Sequence, residues 1–178
     1  STVISSLSIL ALASAQTTTG QLGDAAAITN NPEGAIYVAT LPISKGVRGT
    51  VTAQTAPGGA GVAFQITVDG LPTEGGPFSY HLHDAPVPTN GNCSGTLAHL
   101  DPYKRGQTPP CDASAPQTCE VGDLSGKHGK INGTSFSASY VDVYASTLQG
   151  IGAFFGNRSV VFHLANSTRI SCANFTAL

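Results

Sequence analysis

Val62-Ala63-Phe64-Gln65-Ile66-Thr67-Val68 decides the fold class. From Phe64 onward apolar and polar residues alternate one by one. In an extended chain successive side chains leave on opposite faces, so Phe64, Ile66 and Val68 share a buried face and Gln65 and Thr67 a wet one. Similar short runs rich in Val, Ile, Thr, Tyr and Phe recur at 36–41, 47–54, 78–83, 131–144, 159–164 and 169–175. Helical spacing is sustained nowhere over ten or more residues. Short half-buried strands between turn residues predict an all-β sandwich or barrel.

Composition agrees with that class. The 178 residues suffice for one domain with a sizeable core. Only 10% are charged, whereas 21 glycines and 11 prolines serve turns. A net charge of −2 and the lack of any Lys or Arg run exclude a partner read through its phosphate backbone, so no nucleic acid is expected. The apolar stretch 4–15 is too short for a membrane span. Ala13-Ser14-Ala15 before Gln16 has the small-x-small form of a secretory cleavage site, and residues 1–15 read as a signal-peptide-like segment. Residues 16–34 carry no sustained period and are expected to be a flexible lead-in to a folded domain at 35–178.

Five Asn-x-Ser/Thr triplets, at Asn92, Asn132, Asn157, Asn166 and Asn174, are candidate glycosylation sites. With four cysteines they point to a secreted, extracellular or cell-surface protein. Cys111 and Cys119 bracket a Pro-containing stretch too long for a CxxC hook, while Cys93 and Cys172 lie far apart; three pairings are possible and the residues alone do not choose. Residues 85–130 hold no clear strand, six prolines and three of the cysteines. A loop this long in a compact domain is functional or disordered, and its cysteines argue for order.

The chemistry lies in five histidines. His81 and His83 are one residue apart on a predicted strand, so both rings leave one face. His99 lies in the long loop, and His163 interrupts the apolar run Val160-Val161-Phe162-His163-Leu164. A histidine there must be paired, neutral or a ligand, because a buried imidazolium is costly. A nitrogen-rich set suits copper or zinc and, when tetragonal, copper. A solvated His-x-His edge beside a satisfied core histidine is the alternative.

Further motifs carry a resemblance. Gly70-Leu71-Pro72-Thr73-Glu74-Gly75-Gly76-Pro77-Phe78-Ser79-Tyr80-His81-Leu82-His83 resembles the strand and copper motif of copper/zinc superoxide dismutases. Cys93 stands before His99 at that family's separation between disulfide cysteine and third histidine. Val121-Gly122-Asp123-Leu124 resembles its zinc-aspartate turn, Ser159-Val160-Val161-Phe162-His163 the strand of its last copper ligand, and Thr168-Arg169-Ile170-Ser171-Cys172 the segment with its active-site arginine. The resemblance runs from about residue 35 to Leu178. It implies an eight-stranded Greek-key β-barrel with a long disulfide-pinned loop and copper on His81, His83, His99 and His163. It also implies a Cys93–Cys172 bridge, with Cys111–Cys119 as the second one expected. Arg169 would guide and hold superoxide, and His99 would be the flexible ligand that carries a proton.

The departures are equally specific. Gln107 and Glu120 stand near the places where that family carries two more zinc-binding histidines. His99, Glu120 and Asp123 alone do not make a closed nitrogen-rich zinc site, so zinc is not expected. His163 and Arg169 are too close in sequence for the family's long charged loop. Both losses are similar to the fungal extracellular copper-only branch. By that resemblance Asp123 would hydrogen-bond the far nitrogen of His99, with Glu120 nearby. His128 reads as a solvated loop residue. The function implied is that of a monomeric secreted dismutase converting superoxide to oxygen and hydrogen peroxide. The alternative is a non-catalytic copper-binding or buffering protein of the same fold.

Overall fold

The alternation around Phe64 resolves into a sheet with one buried face. The structure, a computed structural model, describes residues 19–178; the signal-peptide-like segment lies outside them. Eight strands form in chain order: β1 (Ile36–Leu41), β2 (Arg48–Thr55), β3 (Val62–Asp69), β4 (Ser79–His83), β5 (Ser135–Asp142), β6 (Ser159–His163), β7 (Arg169–Asn174) and β8 (Thr176–Ala177). They build a five-stranded sheet, β5-β3-β2-β1-β8, and a three-stranded sheet, β4-β6-β7, with every pairing antiparallel. The chain crosses between sheets from β3 to β4, returns at β5, and crosses again at β6. Seven strands follow the predicted runs; the two-residue β8 is too short to show a period.

The core lies between the sheets. Phe64, Ile66 and Val68 face Tyr80, Leu82, Val160 and Phe162, all buried in one apolar cluster, while Gln65 and Thr67 are exposed. Tyr80 ties the layers, lying 5.7 Å from Phe136 of the other sheet, and stacks at 5.8 Å on Phe162 within its own sheet, between ring centroids. Strands β4 and β6 are buried on both faces almost throughout. Their inner residues enter the core, and their outer residues are roofed by the 85–130 loop. That roof is ordered, as its cysteines suggested: Cys93–Cys172 and Cys111–Cys119 are both joined. It also holds a short helix, α1 (Leu124–His128), that spacing did not reveal.

One expectation is corrected. Residues 19–34 lie fastened along the body rather than as a flexible lead-in. Ala25 N donates to Gln117 O at 2.8 Å and Ile28 N to Val143 O at 2.8 Å. The buried Asn31 carboxamide oxygen accepts from Ser146 Oγ and Thr147 N at 2.8 and 2.9 Å. Periodicity reports apolar faces, and this segment is held by backbone bonds and one asparagine instead.

Candidate metal centre

Strand geometry delivers the first histidines. Tyr80 and Leu82 point into the core, so His81 and His83 point out under the loop, at 8% and 0% exposure. The register Ser79↔His163 and His81↔Val161 places His163 on that same outer face. His99 arrives from the roof through a bridge to His83. Gly122 seats the neighbouring turn: its N–H donates to Leu100 O at 2.8 Å and its carbonyl accepts from Leu82 N at 2.9 Å. A Cβ there would collide with Leu82 O, which explains the glycine of Val121-Gly122-Asp123.

The four histidines form one group, with a ring nitrogen from each within 4.8 Å of the others. Hydrogen-bond accounting fixes which nitrogens those are. His83 Nδ1 lies 3.1 Å from Leu97 O, and His163 Nδ1 lies 3.2 Å from Ser167 O. A carbonyl only accepts, so both Nδ1 atoms carry the proton and both Nε2 atoms are bare. Those bare atoms face each other at 3.2 Å. His99 Nδ1 donates to Glu120 Oε2 at 2.5 Å, which leaves its Nε2 bare. His81 Nε2 lies 3.3 Å from Asp123 Oδ1, and its Nδ1 is buried with no hydrogen-bond partner. Four convergent lone pairs with no proton among them repel unless a cation sits between them. This donor set, all imidazole, fits copper.

Burial favours the neutral form of three of the rings. Burial pushes His83 down to about 2, helped by His99 and Arg169. Burial likewise lowers His163 to about 3, with His81 adding to it. His81 is also lowered, by burial against the opposing pull of Asp123. Burial favours the neutral form of Asp123, but its hydrogen bonds to His81 and Gly126 prevail and hold it at about 2. Neutral imidazole is the ligating form.

The carboxylates exchange the roles expected of them. Glu120, not Asp123, holds the far nitrogen of His99. Asp123 caps α1 by accepting from Gly126 N at 2.7 Å and turns its carboxylate to His81. The turn between them is closed, Asp123 N donating back to Glu120 O at 3.0 Å, and the two carboxylates reach different rings.

Arg169 lies opposite His163 across a β-bulge. Its Nη1 donates to Cys93 O at 2.7 Å and Thr96 Oγ1 at 2.9 Å, and its Nη2 to Leu97 O at 2.6 Å. With His81, His99, His163, Glu120 and Asp123 it lines an open cleft of about 270 Å³. Arg105 and Lys130 line the cleft too; neither stands in a recognisable motif. Thr96, through its hydroxyl, and Leu97, through its carbonyl, fix His83 and Arg169; neither stands in a recognisable motif, and a backbone acceptor such as Leu97 leaves no mark in sequence. His128 is outside the group and not solvated: it stacks on Tyr140 at 3.9 Å and meets Asp142 Oδ2 at 2.8 Å.

The five sequon asparagines are all exposed. Asn92 accepts from Ser94 N, and Asn174 bonds Val87 through both amide atoms. No helix among the described residues is long and apolar enough to cross a membrane.

No family model matches the chain. It is 45% identical over 183 residues to the cell surface Cu-only superoxide dismutase of Arthroderma benhamiae, covering 86% of this chain and 49% of that protein. It is 41% identical over 132 residues to the cell surface Cu-only superoxide dismutase 5 of Candida albicans, covering 74% of this chain and 56% of that one. A third relative, from Candida albicans, is named cell surface superoxide dismutase [Cu-Zn] 6 and is 41% identical over 150 residues, 83% of this chain and 46% of that protein. The chain thus spans about half the length of the curated relatives it matches. Among solved structures, Candida albicans superoxide dismutase 5 with Cu(II) superposes with a TM-score of 0.72 at 39% identity, covering 81% of this chain and 92% of that one. On sequence and on fold alike, the chain belongs to the superoxide dismutase family, beside its fungal cell-surface Cu-only members.

Proposed function

We propose that this protein is a secreted, cell-surface superoxide dismutase that works with copper and without zinc. The observation that carries the reading is the set of four bare ring nitrogens within 4.8 Å, open to a cleft lined by Arg169. His81 Nδ1, His83 Nε2, His99 Nε2 and His163 Nε2 would hold the copper, which would supply the one-electron couple needed to turn two superoxide ions and two protons into oxygen and hydrogen peroxide.

The chain's residues do the rest. Arg169 is braced by the loop carbonyls through Nη1 and one Nη2 proton, leaving Nε and the other Nη2 proton for a small anion. His99 is the ring assigned to pass a proton at Nε2, with Glu120 fixing it through Nδ1. His83 and His163 are held rigidly against backbone carbonyls and serve as fixed ligands. Zinc has no place to bind where both carboxylates are already committed to histidines and no further histidine is near. A copper store would need the four rings but no arginine in the cleft.

The relatives' cell-surface names support an extracellular location, as do the signal-peptide-like residues 1–15 and five exposed sequons. The domain acts as a monomer without nucleic acid: apart from the neighbours Val141 and Val143 its exposed large apolar residues are far apart in the chain, and its net charge is −2. Metal analysis of the purified protein beside a superoxide-consumption assay tests the proposal. Copper near one equivalent, negligible zinc and rapid dismutation are expected; tightly held stoichiometric zinc, or copper without activity, would overturn it.

A further inference from the structure

Behind the carboxylate turn lies an ion pair that takes no part in the chemistry above. Lys127 and Asp142, with side chains 1% and 0% exposed, meet at 2.6 Å between Nζ and Oδ2. Burying two charges is costly, and apolar residues of similar size often fill such a place as well or better. What the pair holds is therefore informative. Lys127 Nζ also donates to Val121 O at 2.9 Å, the carbonyl immediately after Glu120. Asp142 ends β5 and is itself fixed, accepting from Tyr144 N and Ala145 N at 2.9 Å and from His128 Nε2 at 2.8 Å.

The turn from Glu120 to Lys127 is closed upon itself. Glu120 O accepts from Asp123 N, Asp123 Oδ1 from Gly126 N, and Asp123 O from Lys127 N. The lysine side chain then runs back beneath the turn to Val121. One face of this unit presents Glu120 to His99, and the other is bolted to the five-stranded sheet through Asp142. No other ammonium or guanidinium reaches the carbonyl of Val121 among the described residues.

We propose that Lys127 and Asp142 are positioning residues for Glu120. The buried ammonium fastens the 120–127 turn to β5 so that Glu120 meets His99 Nδ1 at 2.5 Å. Only the copper arm of the following test rests on the function proposed above.

Lys127→Met alone strands the Asp142 carboxylate in the core and risks unfolding, so the measuring variant is Lys127→Met/Asp142→Asn, which removes both charges together. In the metal-free protein, with histidine nitrogens labelled, the His99 Nδ1 proton is followed by NMR. Its exchange with solvent is expected to rise at least about tenfold in the double variant, as Glu120 loses its fixed place. Copper affinity is expected to fall by about tenfold, the low end for loss of a ligand's hydrogen-bond partner. A folded double variant with only a lowered melting temperature, an unchanged His99 signal and unchanged copper affinity would show that the pair serves stability alone. If the unaltered protein binds no copper, the copper reading fails while the His99 signal still decides this proposal.

Discussion

Single residues at the centre divide by which atom they hold. Glu120 accepts from His99 and Asp123 faces His81 while capping α1, so the two carboxylates should fail differently. Glu120→Ala is expected to weaken copper binding by about 10–100-fold through a loosened His99. Asp123→Ala is expected to cost about 1 kcal/mol of stability through the lost cap, with His99 still held. Copper titrations and thermal melts of the two variants, with the His99 proton signal, distinguish them; loss of that signal in Asp123→Ala would contradict the assignment. Arg169→Ala is expected to lower activity substantially and flatten its salt dependence. Because the guanidinium also braces residues 93–97, the same change should lower the melting temperature. Wild-type rate and salt dependence would remove Arg169 from the role. Leu97 carries a different kind of information. Its φ of 61° and ψ of −147° belong to a region that glycine alone visits freely. The strain aims its carbonyl at both His83 and Arg169, while the residue is 58% exposed. Relief of about 1–3 kcal/mol of strain, less the extra freedom of glycine when unfolded, predicts that Leu97→Gly raises stability by about 1 kcal/mol. Urea midpoints check it, and a loss of stability would sink it.

At the scale of elements, the site is made where β4, β6 and β7 meet the loop that roofs them. The bulge at Phe162–His163 matters most. Counting by twos from Cys172, which packs with Val161 and Cys93 on the outer face, places Ile170 opposite His163. The bulge gives that place to Arg169 and sends Ile170 against the core. Spacing counted along a regular strand cannot show such an exchange, and only the motif as a whole pointed to Arg169. The two disulfides hold the roof at different ranges. In the chain-entropy picture Cys93–Cys172, closing a separation of 79 residues, contributes about 4.5 kcal/mol, and Cys111–Cys119, closing 8, about 2.5 kcal/mol. Paired Cys→Ser variants should therefore lose stability in that order in urea unfolding. Since Cys93 O is also an acceptor for Arg169, loss of the longer bridge should disturb the cleft as well. Equal losses would show that the roof is held by something other than loop closure.

For the whole molecule, the buried neutral histidines make metal-free stability depend on pH. In the unfolded chain these rings take up protons below about 6.5, whereas in the fold His163 resists to about 3 and His83 to about 2. Their contribution is complete above about pH 6.5 and is lost as pH falls toward those folded values. The slope is up to about 1.4 kcal/mol per pH unit for each ring. Asp123, also lowered to about 2, adds a loss in the same direction below the ordinary carboxylate range. The melting temperature of the metal-free protein is therefore expected to fall steadily from pH 7 to pH 4; a flat profile would mean that the rings are not held neutral. The sequence by itself determined the all-β class, the runs of seven strands, the buried face of β3 and the shared face of His81 and His83, because alternation along a strand is local covalent geometry. It also placed His99, His163 and Arg169 as candidates through motif order. Only the tertiary structure decided that Glu120 rather than Asp123 holds His99, that residues 19–34 are fastened to the body, and that Lys127 and Asp142 lie paired beneath the site. These depend on hydrogen bonds between residues distant in the chain or on the closure of a single turn, and neither leaves a period or a spacing to be read.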